Sequence, residues 1–278
     1  TLRTVVKSFK EYAFYNCDGL VNGSFFRNTG TEDYFGFFGT EEEIGSYAFA
    51  DIDNNSFKYI VLPTSINVFD YYGFAYSSTI EKVEFQSYIT GKYTFAECEN
   101  LKTARFVKNT STDDLGNPVE NVVTNIDDGV FFKNTRLVDI TIHDEVTRIG
   151  DFAFYECLSL VSSKTNEFNL NSVEIIGDYA FSRCTSFTYV RIPESVTSVE
   201  SHSFEECQTL NEVLFENNYI GAYMFAYCNS LQSINIPASI DTVDTHAFAH
   251  CQILTYVSSY SKIVGDYMFY DCGNQRDT

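Results

Sequence analysis

Residues Ile220–Pro237 read I-G-A-Y-M-F-A-Y-C-N-S-L-Q-S-I-N-I-P, and this stretch decides the fold because the chain repeats it. From Ile176 it recurs as I-G-D-Y-A-F-S-R-C-T-S-F-T-Y-V-R-I-P, and from Ile149 as I-G-D-F-A-F-Y-E-C-L-S-L. The phenylalanine in the middle of the unit serves as an anchor. It recurs as Phe14, Phe49, Phe74, Phe95, Phe131, Phe154, Phe181, Phe204, Phe225, Phe248 and Phe269. The last five anchors lie 23, 21, 23 and 21 residues apart. A fixed period of this kind outweighs any single local motif.

Each position in the unit has a physical role. Leu231, Ile234 and Ile236 alternate with polar residues, the period-two signature of a strand with one buried face. Pro63, Pro193 and Pro237 directly follow such strands, where a missing N–H ends a ladder. A second short extended piece comes next, as in Val196–Val199, and then a turn that is often glycine (Gly45, Gly150, Gly177, Gly221, Gly265). The A-F-x-x-C segment after it spaces Phe and Cys as one helical turn would, with both side chains inward. Two residues before the anchor runs a ring ladder: Tyr12, Tyr47, Tyr72, Tyr93, Phe152, Tyr179, His202, Tyr223, His246 and Tyr267. No coil buries its own apolar face, so stacking must supply the core. The period falls in the leucine-rich-repeat range of roughly 20 to 29 residues. The expectation is a repeat solenoid: a right-handed leucine-rich-repeat stack of about eleven coils, mainly short β-strands with single helical or 3-10 turns. It would form one domain over residues 1–278.

The unit resembles the BspA-like, or Treponema pallidum-type, leucine-rich repeats, whose signature is I-G-x-x-A-F-x-x-C-x-x-L-x-x-I-x-[IL]-P. The resemblance covers essentially the whole chain and holds in register. Departures are local: Asp70 and Glu200 replace the turn glycine, Ile52, Ser77 and Asn134 replace the cysteine, and the coil after Leu160 lacks a clean strand. The resemblance implies a secreted or surface protein of bacteria or parasitic protists, used for adhesion or host contact.

All eight cysteines (Cys17, Cys98, Cys157, Cys184, Cys207, Cys228, Cys251, Cys272) stand three residues after an anchor. Repeat position therefore accounts for them as buried free thiols filling one column. Bonds between adjacent coils would need Cβ vectors that parallel stacking disfavours. No C-x-x-C spacing supports zinc.

A net charge of −20 from 18 basic and 38 acidic residues argues against nucleic acid and anionic membranes as partners. The chain has no apolar run of the length a membrane-spanning helix needs, so direct membrane insertion is not expected. Thr1–Val5 reads as repeat material, not as a signal peptide.

Function in solenoids concentrates in insertions and on the concave sheet. The anchor gaps Phe14–Phe49 and Phe95–Phe131 are 35 and 36 residues, and Phe154–Phe181 is 27. Edge insertions are therefore expected near residues 26–43, 108–124 and 163–172, all leaving the same edge. In the first, Phe35, Phe37 and Phe38 are unusual for a loop; they either fold back over the core's open end or form an exposed contact patch. On the concave face, Tyr59, Arg105, Tyr189, Arg191 and Tyr256 are the candidate binding residues, since Tyr and Arg are favoured at interfaces.

Little points to chemistry. No G-x-S-x-G, P-loop or dinucleotide fingerprint occurs. His202 and His246 lie two coils apart, near 10 Å by strand spacing and too far to share a metal. Asp51-Ile52-Asp53-Asn54-Asn55 begins like a calcium loop, but Ser56 and Leu62 stand where Gly and Glu are required. No catalytic residue, metal or cofactor is expected. The reading is a non-enzymatic extracellular binding module for a host or matrix protein, or a glycan. The alternative is a structural spacer that displays another domain of a larger surface protein.

Overall fold

The computed structural model describes residues 6–19, 26–28, 33–36, 42–53, 57–112 and 118–273. The chain divides into two compact units, Thr1–Val146 and Thr147–Thr278. Each is a parallel-strand β-solenoid built by the alternation read above. The chain makes about nine turns. Against the roughly eleven coils suggested by the anchors, eight strands of the L-x-x-I type are formed among the described residues, and a ninth, 33–36, comes from the first insertion.

In the first unit, strands 139–141, 103–106, 82–85, 59–62 and 33–36 lie side by side in parallel. Their burial alternates, as in Lys82–Phe85, where Val83 and Phe85 are fully buried. A second, narrower ladder joins 8–9, 43–44 and 68–69. Gly45 is required here by close approach: a Cβ would stand 2.8 Å from the Glu11 backbone nitrogen of the preceding coil. Two insertions carry hairpins, 26–28 with 33–36 and 109–112 with 118–121. The strand 33–36 also pairs with 59–62, setting Phe35 beside Ile60. The segment read as a loop around Phe35 thus contributes a strand to the sheet; Phe37 and Phe38 lie outside the described residues.

In the second unit, 189–192 pairs with 212–215, and 233–236 with 256–259. The coil after Leu160 contributes only the bridge Ser162–Phe187 to this face. Each proline of the strand ends sits where the ladder to the preceding coil is curtailed. Before Pro63 two pairs are formed, before Pro193 the single bridge, and before Pro237 none among the described residues. A proline has no N–H for the bond that closes each pair elsewhere, such as Glu216 to the Ile192 carbonyl at 2.9 Å.

The expected helical turn is replaced by something else. No helix is formed among the described residues, and A-F-x-x-C is a chain of tight turns. At all eleven anchors, the residues two before and two after it have φ between 53° and 63°, and only Gly129 among them is glycine. A left-handed backbone costs an L-residue about 1–2 kcal/mol, so the geometry needs a compensating cause. That cause lies in where the N–H groups point. In each turn, alternate amides close the turn itself, such as Ala48 N–H to the Gly45 carbonyl at 3.1 Å. The others donate to the next coil: Tyr47 to the Tyr71 carbonyl (3.0 Å), Phe49 to Gly73 (2.8 Å) and Asp51 to Ala75 (2.8 Å). The second unit repeats this with Tyr179, Phe181 and Arg183 donating to Ser201, Ser203 and Glu205. A helix would spend those amides within its own coil. Left-handed residues free them to join coils.

Two ring columns follow from this stacking. The anchors from Phe49 to Phe248 are buried, and neighbours stack, with Phe49–Phe74 at 5.2 Å and Phe181–Phe204 at 5.1 Å between centroids. Outside them, Tyr47 stacks on Tyr72 at 4.9 Å, and Tyr179, His202, Tyr223 and His246 succeed one another at 4.5, 4.6 and 4.6 Å.

The cysteines are free. Beyond filling space, six of the thiols donate back to the carbonyl of the preceding coil's anchor, among them Cys98 to Phe74, Cys184 to Phe154 and Cys207 to Phe181, all at 3.3 Å. Burial pushes the Cys98 and Cys207 thiols up to about 12, so they stay protonated donors. Ser77 imitates the contact, reaching the Phe49 carbonyl at 3.5 Å. Asn134 does not: it is fully buried, and neither side-chain amide atom has a hydrogen-bond partner. Leaving such groups unsatisfied costs about 1–3 kcal/mol. Asn134→Cys is therefore expected to stabilise the protein by about that amount, read as a rise in the chemical-denaturation midpoint. An unchanged or lowered midpoint would show that the amide is better accommodated than its surroundings indicate.

Candidate binding cleft

The outward positions of the face strands are the accessible ones, and each unit presents its own set. In the first, Tyr59 is half-buried; its hydroxyl donates to Glu84 at 2.9 Å and Lys82 Nζ stands 4.2 Å from its ring centroid. Gln86 donates to the same Glu84 carboxylate at 2.7 Å. Arg105 is exposed on strand 103–106, beside Glu84 in the register. Tyr59 and Arg105 thus flank Glu84, and the cluster is a polar network already supplied with internal partners.

In the second unit, Arg191 is committed. Its guanidinium holds Glu167 at 2.6 Å and Glu216 at 2.9 Å, and also donates to Asn171. Glu167 and Asn171 come from the insertion at 163–172, so Arg191 pins that segment to the sheet. Its role in the fold is that of a clamp. Tyr189 is 8% exposed, and burial pushes its hydroxyl above the ordinary tyrosine range. Lys164, from the same insertion, passes 5.9 Å from the Tyr189 ring centroid and pairs with Glu212 at 2.7 Å.

Beyond Tyr189 the face opens into a cleft of about 530 Å³. One wall is strand 212–215 with Glu212 and Leu214; the other carries Ser233, Asn235 and Pro237. Leu214 is 43% exposed, and Tyr256, beside Ser233 in the register, is 66% exposed. The Lys164–Glu212 pair at the mouth is itself largely solvated, so it contributes no more than about 1 kcal/mol and can be parted by a ligand. Of the candidates read from sequence, Tyr189 lines the cleft, Tyr256 stands next to its far wall, and Arg191 supports its near side. Lys164 was not among the sequence candidates. Its approach depends on how residues 163–172 fold back, for which the repeat pattern carries no signal.

A model of the BspA type leucine rich repeat region matches residues 7–117, 118–173 and 161–276, in six copies. The chain belongs to this family. One solved structure supports the fold. A leucine-rich repeat protein from Bacteroides ovatus is similar with a TM-score of 0.65 at 19% identity, over 96% of this chain and 68% of that one. The T. pallidum leucine rich repeat protein aligns at 20% identity over 74% of this chain and 72% of its own, with a TM-score of 0.44. A leucine rich cell surface protein from Faecalibacterium prausnitzii aligns at 18% identity over 86% and 87%, with a TM-score of 0.33. A comparison with curated proteins gave no match. Leucine-rich-repeat solenoids are typically protein-binding scaffolds without catalytic function.

Among the described residues no group of three or more His, Cys, Asp or Glu side chains is placed to hold a metal ion, and no helix is long and apolar enough to cross a membrane. The Tyr223 ring lies between His202 and His246. His250 stacks on Tyr227 at 4.4 Å and meets Asp271 at 3.0 Å. Both arrangements join consecutive coils.

Proposed function

We propose that this BspA-type repeat chain is a non-enzymatic recognition module, acting at the cell surface or outside the cell, that binds a host or matrix protein through its open sheet face. The cleft of the second unit is the observation that carries the reading. Its accessible side chains are Leu214, Ser233 and Asn235, with Tyr256 exposed beside the far wall, a mixed apolar and polar surface. The nearby charges of Arg191 and Lys164 are already matched by carboxylates. Such a surface suits a protein partner, which offers apolar side chains and backbone groups together. Protein is preferred over glycan because the exposed leucine and tyrosine supply apolar area that a glycan would leave largely unmatched.

The test is binding to immobilised collagen, fibronectin and laminin, repeated with Leu214→Glu and Tyr256→Ala. Buried anchors at an interface are worth about 2 kcal/mol or more, so each variant is expected to weaken binding at least tenfold. Equal binding by wild type and both variants would place recognition on another surface. No binding to any of the three by intact chain would favour the spacer reading, in which the solenoid only displays another domain.

A further inference from the structure

The cleft lies on a seam where the sheet strands of two consecutive coils are left unpaired among the described residues. Strand 212–215 is laddered to 189–192, and 233–236 to 256–259, but the two inner strands are not hydrogen-bonded to each other. The narrow ladder is broken before the turn, between 198–199 and 219–220, but beyond the sheet strands the coils rejoin: 219–220 is laddered to 242–243, and Asp241 donates to the Asn218 carbonyl at 2.9 Å. The turn side stays closed. His202, Phe204 and Glu206 donate to the Ala222, Met224 and Ala226 carbonyls at 2.9, 3.0 and 2.8 Å. Neighbouring junctions have entry bonds such as Asn211 to the Thr188 carbonyl (3.1 Å) and Thr255 to Gln232 (3.0 Å). At the exit of this junction stands Pro237, with no N–H to offer the Phe215 carbonyl.

We infer that this seam is a strand-insertion site, and that its occupant is an extended segment of a partner protein. The inference rests on the open face being the recognition surface and names what that face takes hold of. Two facing strand edges with unmet backbone donors and acceptors are a template for another strand. Side-chain shape alone would not demand an extended backbone; paired open edges do. Each wall is four residues long, so an inserted segment pairs over about four residues, roughly 13 Å of strand. Insertion widens the gap between the sheet strands, while the turn bonds on one flank and the 219–220/242–243 ladder on the other keep the coils joined. Leu214 and Tyr189 offer apolar contact at the solvent face of the segment, and the Lys164–Glu212 pair at the mouth opens to admit it.

Site-resolved amide hydrogen exchange tests this, with a synthetic peptide copying Leu210–Glu216 (L-N-E-V-L-F-E) as the probe. In the free chain, amides on the facing edges of 212–215 and 233–236 are expected to exchange about 100-fold faster than those in the 189–192 and 256–259 ladders. The peptide should slow the seam amides. The same peptide N-methylated at alternate backbone nitrogens keeps its side chains but should bind at least tenfold more weakly. Pro237→Ala, which restores the missing donor, should slow seam exchange without peptide and weaken peptide binding. Seam amides as protected as the flanking ladders in the free chain would overturn the inference. So would equal binding of the two peptides, or a parent peptide that leaves the seam unprotected. Loss of matrix-protein binding in Leu214→Glu together with equal binding of the two peptides would leave the open face as the recognition surface and remove only strand insertion.

Discussion

Phe204→Ala is expected to lower the stability of the chain by about 3–5 kcal/mol, seen as a lower denaturation midpoint. The ring is fully buried and sits between Phe181 at 5.1 Å and Phe225 at 5.5 Å. Truncation removes contacts to both neighbours and leaves a hole that the rigid coil spacing prevents from collapsing. A solenoid's stability is close to a sum of coil terms and interfaces between adjacent coils, so one anchor weakens two interfaces. Phe269, half-buried in the last described coil and stacked on Phe248, supplies the comparison. Phe269→Ala is expected to cost less than half as much. Equal losses at the two positions would refute a continuous ring column as the source of the stability.

The turn column gives the second large effect, and its sign separates the observed turns from a helix. Tyr179 has φ 54° and its N–H donates to the Ser201 carbonyl at 3.1 Å. Proline fixes φ near −65° and has no N–H, so Tyr179→Pro is expected to destabilise by about 3 kcal/mol or more. Tyr179→Gly should be far milder. Glycine relieves a left-handed strain of about 1–2 kcal/mol while losing ring stacks with Phe152 and His202 worth about 0.5–1.5 kcal/mol each. The net is expected within about 1 kcal/mol of zero. Gly129 occupies the same position of the coil anchored by Phe131, with φ 63°. In a helical turn the order would reverse, because proline is tolerated in a first turn and glycine costs about 1 kcal/mol. Melting curves of both variants decide the matter: a proline variant as stable as the glycine variant would rule out the inter-coil amide bond as the reason for the geometry.

Much of the fold was legible because stacking makes each position answer to the same position in the next coil. The anchor phenylalanines, the alternation in segments such as Ser233–Ile236 and the cysteine column carry one constraint many times over, so a local departure such as Asn134 stands out. The prolines were legible as ladder ends, though not as marks of where the preceding ladder is curtailed. The turn conformation was not legible. Phe and Cys three apart fit a helical turn and a left-handed pair of tight turns equally well, and the choice depends on amides bonding to the neighbouring coil. The division into two compact units was likewise not written in the period, which runs on through Val146.

By itself, then, the sequence determined the repeat, the inward and outward faces and the contents of the core, because these depend on spacing and hydrophobicity alone. Only the tertiary structure decided which outward residues are available. Arg191 looks like a ligand-binding residue in one dimension, yet Glu167, Asn171 and Glu216 consume its guanidinium in three. Phe35 belongs to a strand where a loop was expected, and Lys164 and the seam before Pro237 became apparent only with the coils assembled. The physical reason is common to all of these: a side chain's or an amide's partner in a solenoid lies about one period away along the chain, where local pattern cannot show whether that partner is met.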